Sequence, residues 1–269
     1  MPRLSAQGVF RAHCWVIALA TLGHVLSRIM AEAKGRESSI TKVLNFAAES
    51  SIPTVVSVAG LLAAALAAWL IAADAREKGE RLWRSWALVL AMILFLALDE
   101  GAALHDRMAF PMQSLMDLGG IFYIGWVVPY IGLVVVSGAL LVPLVLKLPR
   151  RTLLRLVVAG TLFIGCALGL ELVESALIHQ SAGEGVPLQD ADIEALVQTP
   201  MLTFLMTLEE LGEMLAVALA LRALLLHLTV DRAVTALELT PAIAPARRLA
   251  PASAAQAFGA RGGATPPQA

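Results

Sequence analysis

Three long apolar runs in this chain carry carboxylates and imidazoles where none would be expected. Asp99, Glu100 and His105 close one run; Glu171 and Glu174 interrupt a second, with His179 just beyond; Glu209, Glu210 and Glu213 interrupt a third. His24 and Arg28, four apart, stand near the end of an earlier run. An ionisable group at hydrocarbon depth costs several kcal/mol unless it is paired, hydrated or metal-bound, so each is a functional-site candidate. Three uses fit such a set. Carboxylates and imidazoles without thiolates suit a divalent metal such as Zn, Fe or Mn, whose open position would activate water or bind dioxygen. Paired carboxylates also relay protons or cations. Otherwise the groups are structural, neutralised by Arg28 and by hydrogen bonds.

The elements that must position these groups follow from composition. Hydrophobic residues make up 58% of the 269, charged residues 15%, and the mean hydropathy is +0.77. Such values place the chain among membrane proteins. A net charge of -1 argues against a nucleic-acid partner. Cys14 and Cys166 both fall within apolar runs and form neither a CxxC pair nor a disulfide framework. A spanning helix needs about 20 mostly apolar residues. Six runs qualify, near 12–31, 52–73, 83–104, 120–146, 153–178 and 201–228. The expected fold is all-α, a six-helix transmembrane bundle over 1–228. A cytoplasmic tail follows over 229–269, disordered from about 241, where Ala, Pro and Gly dominate.

Basic residues set the orientation. With the N-terminus in the cytoplasm, only Arg28, Lys34, Arg36, Lys42 and Arg107 of the 20 Lys and Arg residues fall outside. Both termini are then cytoplasmic, in the inner membrane of a bacterium. His24 and Arg28 lie between the first apolar core and the small-residue Ala31-Glu32-Ala33 segment, which argues against a cleaved signal peptide. Ile40, Val43, Leu44 and Ala47 repeat at helical spacing and predict a short amphipathic helix on the outer surface. The Ala- and Leu-rich second run reads as filler against lipid and neighbours. The stretch from His105 to Gly120 reads as a loop along the interface.

This topology puts Asp99, Glu100, Glu171, Glu174, Glu209, Glu210 and Glu213, with His24, Arg28, His105 and His179, in the outer half of the membrane. Glu171 with Glu174, and Glu210 with Glu213, are three apart and project from one face each. Glu209 points about 100° away from Glu210, so one of the two faces another helix or water. The candidate metal ligands are therefore Asp99, Glu100, His105, Glu171, Glu174, His179, Glu210 and Glu213, with Glu100 and Glu210 as candidate acid/base groups. His24 and Arg28 are the charge-balancing pair, and Arg28 would alternatively grip an anionic headgroup. His105 and His179 read equally as caps at helix ends. His13 and His227 lie near the opposite side and read as packing residues. Glu100 to His105 and Glu174 to His179 share a five-residue spacing, a faint internal echo.

Known site templates do not fit. The spacing is not the Glu-x-x-His of ferritin-like carboxylate proteins, and neither HExxH nor GxSxG occurs. The Glu209-Glu210 pair is not continued as the EExxxR of membrane-embedded CAAX-type proteases, because position 214 is Met. One resemblance does hold over about 85–225. Leu98-Asp99-Glu100 with His105, Gly169-Leu170-Glu171, and Glu209-Glu210-Leu211-Gly212-Glu213-Met214 together resemble a family of bacterial multi-pass membrane proteins. Its members carry an LDE…H segment, a later membrane Glu and an EExxEM segment. The resemblance implies the same site residues and no particular substrate. The expectation is a membrane enzyme, a hydrolase or oxidoreductase acting on a lipid or other apolar substrate. Proton- or cation-coupled transport and a non-catalytic scaffold are the alternatives.

Overall fold

The computed structural model describes residues 5–48, 50–183, 185–191 and 193–234. The tail expected over 229–269 lies largely outside these residues, and its disorder from 241 entirely so. The described chain is helical, without a strand among the described residues, and six of its helices are long and apolar enough to cross a membrane.

Helix α1 runs Ala6–Lys34, capped by the Ser5 hydroxyl, which accepts from the Gly8 N–H, and closed by left-handed Gly35. Short α2, Ser39–Leu44, follows through a capping box of Ser38 and Thr41, and ends before the Ala47 predicted to lie on it. Helix α3 spans Ile52–Glu77, with Ser51 at its cap and Pro53 in its first turn. Helix α4 spans Trp83–Ala102.

The segment expected to be a loop folds instead as α5, Leu104–Met116, split from α4 by Ala103 in the left-handed conformation (φ 48°). Its Gln113 backbone is approached so closely by Gly125 that a side chain there would overlap the Gln113 nitrogen. Helix α6 is Val127–Val145 and α7 is Arg150–Ile164. A π-helical turn, Gly165–Leu170, joins α7 to α8, Glu171–Ala182. Short α9, Ile193–Val197, precedes α10, Pro200–Leu226, which ends in a second π-helical turn, His227–Asp231.

Helices α3 and α10 form the centre. Half of the most apolar stretch of each is buried, against 17% for α4, α6 and the α7–α8 rod. The second run is thus core and not filler. Its Ala64, Ala67, Ala68, Ile71 and Ala75 are almost wholly buried, and small residues let α4 and α10 approach closely. Outward-facing Trp15, Leu19, Val55, Leu66, Val135, Leu140 and Leu154 leave an apolar surface. That surface is what a bilayer accepts.

Candidate functional site

The left-handed turn at Ala103 folds His105 back onto the end of α4. Its backbone N–H donates to Asp99 Oδ1 (3.0 Å), and its Nδ1 lies 3.0 Å from Asp99 Oδ2. The Tyr130 hydroxyl of α6 donates to Asp99 Oδ1 at 2.6 Å. Asp99, 6% exposed, thereby has both oxygens engaged and holds His105 in place. His105 Nε2 faces Asp106 at 3.6 Å, and its ring packs against Trp126. Burial opposes the charged imidazole. The bond to Asp99 and the charges of Asp106, Asp99 and Glu171 outweigh it and push the His105 pKa up to about 9. His105 is the cation beside these acids.

The carboxylates meet one layer further in. Glu171, Glu174 and Glu209 each offer an oxygen, and the three lie within 4.8 Å of one another. Glu174 is 3% exposed, and its Oε1 is buried without a hydrogen-bond partner. Glu174 and Glu209 are in side-chain hydrogen-bond contact, while Trp126 bonds Glu171. Two ionised carboxylates are both acceptors, so their contact calls for a proton or a cation between them. A buried orphan oxygen costs about 1–3 kcal/mol or more, which points to the same requirement. Glu213 lies within electrostatic reach of Glu210, Glu100, His105 and Glu171, so a second group of acids adjoins the trio. Ser57 of α3 bonds Glu100.

The π-helical turn is what aims Glu171 and Glu174. It inserts one residue into the α7–α8 rod and rotates everything beyond it by about 100°. Cys166 of that turn seats against Gly212 of α10, so close that a Cβ at 212 would overlap its sulfur. The bulge and the glycine together lock the two acid-bearing helices in register.

A family model matches residues 13–228, and so takes in every residue of this site. The chain belongs to the family described as a domain of unknown function, DUF8692. No curated protein and no solved structure matches it.

Several sequence expectations for this DUF8692 chain change. Glu209, set aside in favour of Glu210, is the third member of the trio, while Glu210 and Glu213 sit beside it. His179 continues along α8 and packs on Tyr123, with ring centroids 4.8 Å apart, and its ring faces Gly119. The Glu-to-His echo is therefore not a repeated structure, because only the first copy contains a chain reversal. His24 is a packing residue. Its Nδ1 accepts from the Phe46 N–H (3.1 Å), its Nε2 meets Thr207 Oγ1 (3.0 Å), and Phe46 stacks on its ring. Arg28 pairs with Glu37 at 3.4 Å and balances that carboxylate instead of the buried ones.

Proposed function

We propose that this chain is a metal-dependent membrane enzyme whose divalent ion, Zn, Fe or Mn, is held by Glu171, Glu174 and Glu209. The observation that carries this reading is the trio of carboxylates, Glu174 buried and Glu171 and Glu209 half-buried, with one Glu174 oxygen without a partner. Three oxygens sharing one ion at ~2.1 Å lie ~3.4–3.6 Å apart, so the trio, now within 4.8 Å, would close by roughly an ångström. A three-carboxylate set suits hard or borderline ions and leaves a coordination position open. Such an ion supplies a Lewis acid and an activated water, or a site for dioxygen. The chain's own groups would do the rest. Asp99 and Tyr130 hold His105 with its Nε2 toward Asp106 and within electrostatic reach of Glu171, from where it would move a proton to or from a reacting group. Glu100, Glu210 and Glu213 supply the neighbouring acid/base capacity. By the distribution of basic residues, the site opens to the periplasmic side of a bacterial inner membrane, where a lipid or other apolar substrate would reach it.

Elemental analysis of detergent-purified protein tests the reading. Close to one equivalent of metal is expected in the parent, and well under a tenth of that in Glu171→Gln and Glu209→Gln. A second reading draws on the Glu174–Glu209 contact, which would equally serve a proton-conducting chain from Asp106 through His105 to the trio. Absence of metal from the parent, together with a pH-gradient-driven flux in proteoliposomes that both variants abolish, would favour transport.

A further inference from the structure

We infer that the cavity between α1, α2 and the first turns of α10 binds a phosphate group, carried by a lipid headgroup or free in solution, and presents it to the carboxylates below. The cavity measures about 220 Å³. Against roughly 30 Å³ per water, that is room for a phosphate and the atoms attached to it. It lies apart from the trio, and its lining brings Arg28, Lys42, Asn45, Gln198 and Thr203 around one volume.

The charges on that lining favour an anion. Two cations, Arg28 and Lys42, face one carboxylate, Glu37. Glu37 holds Arg28 by a single long contact of 3.4 Å at Nη1, on the same oxygen that accepts from Asn45 Nδ2 (3.3 Å). The planar guanidinium fork, which matches phosphate through two parallel N–H groups, is not filled by that contact. Lys42 is exposed, on a helix held by its own capping box, and makes no ion pair among the described residues. His24 adds no charge, since its Nδ1 accepts and its ring is neutral. A divalent cation would meet Arg28 and Lys42 first, so this is not the metal's route.

The register of α10 connects the cavity to the acids. Thr203, Met206 and Thr207 line it at i, i+3 and i+4. Glu210 is three beyond Thr207 and four beyond Met206, on the same face and about 4.5 Å further along the axis. A phosphate on Arg28 and Lys42 would thus hang its ester atoms toward Glu210 and the trio beyond it. Phosphate binding stands on the cavity alone. Its presentation to a catalytic centre rests on the metal reading above.

Calorimetric titration of the full-length protein in an uncharged detergent tests this, with short-chain phosphatidylglycerol in one arm and inorganic phosphate in the other. Saturable binding is expected, weakened about tenfold or more in the double variant Arg28→Gln with Lys42→Gln. In Glu37→Gln, which removes the competing carboxylate, it should tighten. Lys42→Gln alone changes only an exposed side chain, should fold as the parent does, and should weaken binding severalfold. Phosphatidylglycerol bound far more tightly than phosphate assigns the site to a lipid headgroup; equal affinities assign it to free phosphate. No saturation by either probe, or parental affinity in both Lys42→Gln and the double variant, overturns the inference. Metal content measured on the same samples separates the two readings. Intact metal with no phosphate binding defeats only the cavity, and phosphate binding retained by a metal-free parent defeats only the metal site.

Discussion

The two ends of the bundle both gather carboxylates and a histidine beside a π-helical turn, yet they solve the charge problem in opposite ways. At the end near Arg232, the carboxylates Asp74, Glu80 and Asp231 each have a partner. The Arg232 guanidinium donates to Asp74 (2.6 Å) and, by two parallel bonds, to Glu80 (3.0 and 3.1 Å), while Lys78 also reaches Asp74 (2.9 Å). Asp231 takes the Thr152 hydroxyl (2.5 Å) and His227 Nδ1 (2.8 Å), and Trp86 stacks on that histidine. None of those three carboxylates is short of a partner. At the other end Glu171, Glu174, Glu209 and Glu213 crowd together with His105 as the neighbouring cation, and a carboxylate oxygen is left without a partner. A histidine and acids near a helix irregularity are thus not a site in themselves. The diagnostic feature is the imbalance.

The largest effect that would sharpen this contrast is on metal content. Glu174→Gln keeps the shape and removes the charge, so occupancy should fall from near one equivalent to background. In chelator-stripped protein the same variant should unfold no more easily than the parent, and up to ~1 kcal/mol less easily, because repulsion is relieved. A thermal scan with and without chelator reads both. A drop in stability of the stripped variant would mean that the acidic end is as well paired as the basic one.

Next in size is the joint between the π-helical turn and α10. Gly212→Ala drives a methyl into Cys166 and should destabilise by roughly 1–3 kcal/mol. Cys166→Ala opens room for it, so the double variant should recover most of that loss. If Gly212→Ala is tolerated alone, the turn is not what holds Glu171 and Glu174 in register.

That joint also marks how far the sequence could be read. Six apolar runs, their helical nature and the odd carboxylates within them are plain from length and hydropathy alone. Glu171 and Glu174 share a face at any helical register, so their pairing was legible too. Choosing between Glu209 and Glu210 was not, because adjacent residues diverge by about 100° and only the neighbours of α10 decide which one meets Glu171 and Glu174. The π-helical insertion has the same character, with Gly165 and Gly169 as its sole trace. Ala103 adopts a left-handed conformation with no Gly, Asn or Pro to announce it, which hid α5 and the return of His105. The pairing of Arg28 with Glu37 depends on where α2 carries the chain, which hydropathy does not encode.

At the paired end, Arg232→Gln should destabilise by about 2 kcal/mol, since Asp74 and Glu80 then lose their shared donor. Metal content should not change. Denaturation of the purified variant checks the first point and elemental analysis the second. A variant with lost metal and normal stability would reverse the roles assigned to the two ends.

The smallest expected effect is on pH dependence. His105 ordinarily titrates near 6.5 and is raised to about 9 in the folded chain. A group whose folded pKa is raised favours the folded state most below its unfolded pKa, and that contribution fades as pH climbs through the folded value. Stability of the metal-free protein should therefore decline across the interval from about 6.5 to about 9. Tyr130→Phe removes one bond to Asp99, about 1 kcal/mol, but leaves its charge beside the imidazole, so the decline should persist. Asp99→Asn removes that charge, and the decline should flatten. Equal slopes in the parent and Asp99→Asn would mean that His105 draws its proton affinity from the acids of the trio and Asp106, making the acidic end one electrostatic unit and not a buttressed histidine beside a separate carboxylate nest.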